Sequence, residues 1–201
     1  MKQGKREQIL RAAAAQFAEK GYEGASIRAI AEAAGVNIAM ISYYFGGKRG
    51  LYEEAFTSQL SALQPFLTLD AETEPPLRIF QCYAETAAAV HEDSPYLLPY
   101  LYRILLSPST DAGPIFARYV SQMFHQLCRA AVRGQEAGLI RTDLDPKSAV
   151  LLFAGGINFH FLSRRIRAHI DRDGTLFPEE KSYIRQALSI FFQGIERRDP
   201  S

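Results

Sequence analysis

Tyr43, Tyr44 and Lys48 put two phenolic hydroxyls and an ammonium group within six residues, around Phe45, Gly46 and Gly47. Hydroxyls and a cation gathered in this way suit phosphate oxygens, which fix position without reading sequence. Just upstream stand Asn37, Ala39, Met40 and Ser42. Side chains of these types meet base edges, and Ala39 and Met40 can touch a thymine methyl. Ser26 and Arg28 add a further hydroxyl and cation for the nucleic-acid backbone. Backbone N–H groups at a helix start near Lys48 would complete a phosphate site. Other chemistries find no support. There is no Gly-rich phosphate loop, nucleophile elbow or metal-ligand spacing, so no enzyme, metal or cofactor is expected. Cys82 and Cys128 lie far apart in apolar patterns and are expected to be two buried thiols. The pairs Glu53-Glu54 and Glu179-Glu180 are helix neighbours, which point apart and read as solvated faces.

These residues need a scaffold, and residues 26–51 supply one. Ser26 can cap a short helix whose inward face is Ile27, Ile30, Ala31 and Ala34. Gly35 follows, where a chain leaving a helix takes positive φ. Asn37 caps a second short helix with Ile38 and Ile41 expected inward. Two helices joined by a Gly-containing turn make a helix-turn-helix. Its second helix lies in the major groove with its first residues against base edges. A helix over about 4–20 carries Ile9, Leu10, Ala13, Phe17 and Ala18 on one face and stops at Gly21. Lys2, Lys5 and Arg6 at its start are placed to act as an arm. Tyr22 and Phe45 are expected to anchor the small core, with Phe45 turned inward as Tyr43 turns outward. Charge agrees with this layout. Residues 1–50 carry eight basic and four acidic side chains, against fifteen and eighteen in the remainder, so a basic head sits on a mildly acidic body.

The run Tyr43-Tyr44-Phe45-Gly46-Gly47-Lys48-Arg49-Gly50-Leu51 after a helix-turn-helix, with Phe17-Ala18-Glu19-Lys20-Gly21-Tyr22 upstream, resembles the DNA-binding domain of the tetracycline-repressor (TetR) family. The motif covers about the first quarter of the chain; the rest matches in size and helical character. The resemblance implies an all-α protein and a homodimeric transcriptional regulator, usually a repressor, released from its operator on double-stranded DNA by a small ligand. It implies phosphate contacts at Tyr43 and Lys48. Tyr44 stands where the family often has His, and Ser42 where an aromatic is common.

The body also reads as helix, giving about nine in all: a three-helix head over 1–47, and a larger ligand-binding and dimerisation body over 48–201. From Lys48 a helix runs through Leu51, Phe56 and Leu60 and weakens near Pro65. Others are expected from Glu74-Pro75-Pro76 to Ser94, over about 95–107, over about 113–137, from Asp145-Pro146, and over about 178–196. The Asp145-Pro146 helix is apolar around much of its girth and is expected to be buried on several sides. Gly155-Gly156 inside it call for close approach of another helix. Polar atoms on apolar helices suggest a mainly aromatic effector pocket, drawn from Phe56, Leu60, Phe80, Tyr83, Tyr100, Tyr102, Phe124, His125, Phe153 and Asn158. In the family the last two long helices of each subunit form a four-helix bundle across a two-fold axis. That implies an interface of Phe153, Gly155, Gly156, Phe159, His160, Leu188, Phe191, Phe192 and Ile195.

No apolar run approaches the roughly 18 residues of a membrane span, and the basic start lacks a secretory apolar region. A soluble cytoplasmic chain that meets no membrane is expected. The competing class is a helical protein-interaction module without sequence-specific DNA binding. The Tyr43, Phe45 and Lys48 cluster argues against it, and salt-dependent duplex binding separates the two.

Overall fold

A computed structural model describes residues 2–93, 96, 97, 99, 102 and 113–195. Among these every regular element is a helix and no β-strand occurs. The elements are α1 (Lys2–Gly24), α2 (Ile27–Ala33), α3 (Ile38–Phe45), α4 (Lys48–Leu60), a 3-10 turn (Ser61–Leu63), α5 (Gln64–Leu67), α6 (Pro76–Asp93), α7 (Gly113–Glu136), α8 (Pro146–Leu162), α9 (Arg164–Ile170) and α10 (Glu180–Ile195). Most of the helix expected over 95–107, with Tyr100, lies outside the described residues. No described helix is long and apolar enough to cross a membrane.

The chain divides into two compact units. Met1–Ala62 with Glu92–Tyr119 form the first, and Leu63–His91 with Val120–Ser201 the second. In the first, α1 packs on α2 and α4, and α3 packs on α2 and α4. Ile9, Ala13, Phe17, Ile30, Ile41, Leu51, Ala55 and Phe56 are fully enclosed. The Phe17 and Tyr22 rings both meet Tyr52, at 4.9 and 5.1 Å between centroids. Gly21, at φ 72°, breaks the helical path of α1, as its position after the last apolar residue implies. Lys5 and Arg6 lie within α1. From Lys2 onward the described residues are therefore helical rather than extended.

In the second unit α8 packs against α9 and α10. Its interior holds Phe66, Ile79, Phe80, Ala84, Leu127, Ala130, Val150, Phe153 and Ile157. The segment before α6 is fastened to α7 by polar side chains. Gln126 donates to the Leu67 and Leu69 carbonyls at 3.3 and 3.1 Å. Arg133 donates to the carbonyls of Ala71 and, at 2.9 Å, Glu74. Asp145 caps α8 by accepting the Ser148 N–H at 2.9 Å, with Pro146 in the first turn.

Three expectations change. Helix α8 is not enclosed on several sides within the chain, because Leu151, Leu152, Phe159 and Leu162 are exposed. Cys128 is only partly buried, whereas Cys82 is buried. The sequence reading also missed α9. Its Arg164-Arg165-Ile166-Arg167 stretch continues from α8 through Ser163, whose backbone stays near the helical region. Asp171 then organises the following loop by accepting N–H groups from Thr175, Leu176 and Phe177.

Candidate nucleic-acid interface

Helix α2 is capped by Ser26, whose hydroxyl accepts the Ala29 N–H at 3.4 Å. The turn that follows takes Gly35 to φ 63° and returns the Val36 N–H to the Ala31 carbonyl at 3.0 Å. Asn37 caps α3 through its side-chain oxygen, which accepts the Ala39 N–H at 2.8 Å. That bond uses the acceptor of Asn37 and leaves its two N–H donors for other partners. Helix α3 closes on Gly46 at φ 70°, and Gly47 at φ 125° starts α4. Both are values that a side chain opposes, so the paired glycines make this turn.

Along α3, Ile41 and Phe45 turn inward, while Tyr43 is 74% exposed. Ser26, Arg28, Asn37, Ala39 and Ser42 are exposed; Met40, Tyr44 and Lys48 are half-buried. The structure thus presents Asn37, Ala39, Ser42 and Tyr43 on the open side of one helix, with Met40 and Tyr44 at its margin. Ile38 departs from expectation, at 48% exposed. It shares the face of Ile41 and Phe45 but sits in the first turn, at the rim of the core. An apolar side chain there adds a surface suited to a thymine methyl.

Lys48 is held locally. Its Nζ donates to the Glu23 carbonyl at 3.3 Å and lies 4.8 Å from the centre of the Tyr22 ring. The ammonium is thereby kept beside the start of α4. The Tyr43 and Tyr44 rings meet edge-on at 5.1 Å. Gly50 is a position whose need the sequence reading missed. A β-carbon there would lie 2.0 Å from the Phe45 carbonyl oxygen, so α4 crosses the end of α3 by direct backbone approach.

The proposed effector residues fall in both units. Phe56 and Leu60 are buried in the first, and Tyr102 there is half-buried. In the second, Phe153 meets Phe80, Tyr83 and Phe191 at 5.3, 5.9 and 4.6 Å. Asn158 joins this aromatic group by donating to Tyr83 Oη at 2.7 Å. Phe124 is half-buried. His125 is exposed, its Nδ1 2.7 Å from the Ser121 carbonyl of its own helix, which leaves it outside the buried group.

Of the interface residues, Gly155, Gly156 and Phe159 are exposed, and Leu188, Phe191 and Phe192 are half-buried. Phe153, His160 and Ile195 instead turn into their own chain. His160 stacks on Tyr183 at 3.9 Å. Gly155 has open space where a β-carbon would stand, and Tyr183 Oη donates to the Gly156 carbonyl at 2.8 Å. The sequence reading missed Leu151, Leu152, Leu162 and Ile190, which are exposed beside the glycines or on α10. Among the described residues, no group of three or more His, Cys, Asp or Glu is placed to hold a metal ion.

Residues 9–55 match the sequence model of the family described as bacterial regulatory proteins, tetR family. The chain is 49% identical over 53 residues to the probable HTH-type transcriptional regulator YttP of Bacillus subtilis, a match spanning 26% of each protein. It is 26% identical over 197 residues to the HTH-type transcriptional regulatory protein RaaS of Mycobacterium tuberculosis, covering 93% of this chain and 84% of that one. Its fold superposes on the TetR family transcriptional regulator PfmR of Thermus thermophilus with a TM-score of 0.69 and 25% identity, over 94% of this chain and 99% of that one. With the capped α2–α3 pair and the exposed face of α3 in place, residues 9–55 carry the DNA-binding domain of the tetR family of bacterial regulatory proteins, and α2 and α3 are its helix-turn-helix.

Proposed function

We propose that the chain is an operator-binding repressor that acts as a homodimer and is released by a small, largely apolar or aromatic ligand. Residues 1–47 read DNA, and residues 48–201 bind ligand and pair with a second copy. The observation that carries this reading is the exposed face of α3, with Tyr43 open beside a locally held Lys48. Tyr43, Tyr44, Lys48, Ser26 and Arg28 meet phosphates, while Asn37, Ile38, Ala39, Met40 and Ser42 face bases. Two heads on one dimer read half-sites about one DNA turn apart, or a multiple of it.

Pairing is supported by the open side of α8. Leu152, Gly155, Phe159 and Leu162 recur at helical spacing on one exposed side of α8, with exposed Leu151 beside them and exposed Ile190 on α10. An exposed stripe of this kind marks an association surface. The effector site draws on Phe80, Tyr83, Phe153 and Asn158, an aromatic group with one polar pair to orient a ligand. A ligand there releases DNA by favouring a state in which the heads no longer fit successive grooves, and the coupling is limited by its preference for that state.

The test is selection of bound fragments from genomic DNA, followed by binding at several salt concentrations. A palindromic site and an affinity that falls steeply with salt are expected. Tyr43→Phe and Lys48→Ala weaken binding across sequences, whereas changes at Ala39 or Met40 alter sequence preference. Binding that is weak, insensitive to salt and without a preferred sequence overturns the reading in favour of a protein-interaction module.

A further inference from the structure

Arg6 is one of the basic residues near the start of the head, and its charge alone would assign it to phosphate. Its position assigns it elsewhere. The guanidinium forms an ion pair with Glu54 of α4, and its central carbon lies 5.4 Å from the centre of the Phe45 ring. Three elements meet at this one side chain: α1 through Arg6, α3 through its last residue, and α4 through Glu54. Gly50 and Glu54 are four residues apart and therefore share a face of α4. Gly50 is where the α4 backbone touches the Phe45 carbonyl oxygen. The end of α3 thus abuts α4 at Gly50, and one turn further along α4 Glu54 holds the guanidinium that stands over the Phe45 ring.

We infer that Arg6 is a positioning residue: paired with Glu54, it clamps the C-terminal end of the recognition helix and so sets the angle at which α3 is offered to DNA. The inference rests on the DNA-binding reading above, and it predicts the opposite of what a phosphate contact would do. Glu54 neutralises Arg6. If Arg6 met a phosphate, removing Glu54 would release the cation toward DNA and tighten binding. If Arg6 is a clamp, removing Glu54 loosens α3 and weakens binding. Both side chains are partly exposed, so the pair is modest in strength. The same ion pair with its charges exchanged can still bridge α1 and α4, whereas a glutamate at position 6 would repel a phosphate.

The experiment measures affinity for the selected operator over a series of salt concentrations, with thermal unfolding of each variant as a control for folding. Glu54→Gln is expected to weaken binding about threefold to tenfold, the range for loss of a half-exposed pair in each of two heads. Arg6→Ala should do the same with the salt slope unchanged. Arg6→Glu combined with Glu54→Arg should recover most of the affinity. Glu54→Gln binding as tightly as the parent or more tightly overturns the inference. So does a salt slope reduced by about 0.9 per head in Arg6→Ala, or failure of a folded exchange variant to recover. If Arg6→Ala does not fold, the sign of the Glu54→Gln effect alone decides. A parent protein with no salt-dependent operator binding defeats the DNA-binding reading itself, a result separate from any of these.

Discussion

Asn158 ties Tyr83 to α8 inside the second unit: its Nδ2 donates to Tyr83 Oη at 2.7 Å and to the Ala154 carbonyl at 2.8 Å. The tyrosine is buried, and burial holds its hydroxyl above the ordinary value near 10, with the Asn158 bond pulling the other way. The two ends of this bond are not equivalent. Tyr83→Phe removes the hydroxyl but leaves Asn158 its bond to Ala154, at about 0.5–1.5 kcal/mol. Asn158→Leu strands a buried hydroxyl, at about 1–3 kcal/mol. Denaturant unfolding should therefore rank Asn158→Leu as the more damaging change. The raised value also has a sign. Unfolded tyrosine loses its proton first, so the contribution of Tyr83 is complete below pH 10 and is lost as pH rises through the folded value. Tyr83→Phe should lose less stability than the parent above about pH 10.

His160 gives the acid counterpart. It is enclosed between Tyr183, stacked at 3.9 Å, and Arg167, whose guanidinium nitrogen is 3.3 Å from Nε2. Burial first, then the charges of Arg167 and Arg164, lower its value to about 4. The unfolded chain, near 6.5, takes up the proton earlier as pH falls. The stability that depends on neutral His160 is thus whole above pH 6.5 and is lost as pH falls toward 4. His160→Phe keeps a flat ring against Tyr183 and cannot titrate. Its unfolding midpoint should change less over this pH range than that of the parent, and equal slopes would show that folding leaves the proton affinity of His160 unchanged.

The head was legible because its signals are local. Ser26, Gly35, Asn37, Gly46 and Gly47 each act on backbone within a few residues, and the caps and positive φ values stand where those residue types require them. Features set by another segment were not legible. Nothing near Gly50 in sequence announces that the Phe45 carbonyl occupies the space of its side chain, and nothing near Arg6 announces Glu54, 48 residues away. Periodicity shows that α8 is apolar nearly all round, but not which side its own chain covers. Phe153 and Phe159 read alike in sequence, yet one is enclosed and the other is 65% exposed.

Gly50→Ala tests the close approach at the end of the recognition helix. The atom met is a backbone oxygen at 2.0 Å, which cannot rotate away as a flexible side chain would. The helix must shift, with a penalty at or above the roughly 1–3 kcal/mol seen when a packed site is overfilled. Thermal unfolding should show a less stable protein, and operator affinity should fall more than stability alone explains, because the displaced atoms belong to α3 and α4. Gly155→Ala is the control: it too adds one methyl to a helical glycine, but in open space within the chain. It should leave the folding of the chain intact.

The open side of α8 makes the strongest claim about assembly. Leu152 is 77% exposed, Phe159 65% and Ile190 70%. Each can be changed to a charged residue without opening the chain's own core. An aspartate at position 152 or 159 should leave helix content unchanged and shift sedimentation from dimer to monomer. Operator affinity should collapse with it, because a single head loses the joint binding of two half-sites. Charge at Phe153 behaves differently: that ring is packed on Phe80 and Phe191, so Phe153→Asp should unfold the second unit rather than merely separate subunits. Dimers that persist in Leu152→Asp combined with Phe159→Asp would move the pairing surface off this face.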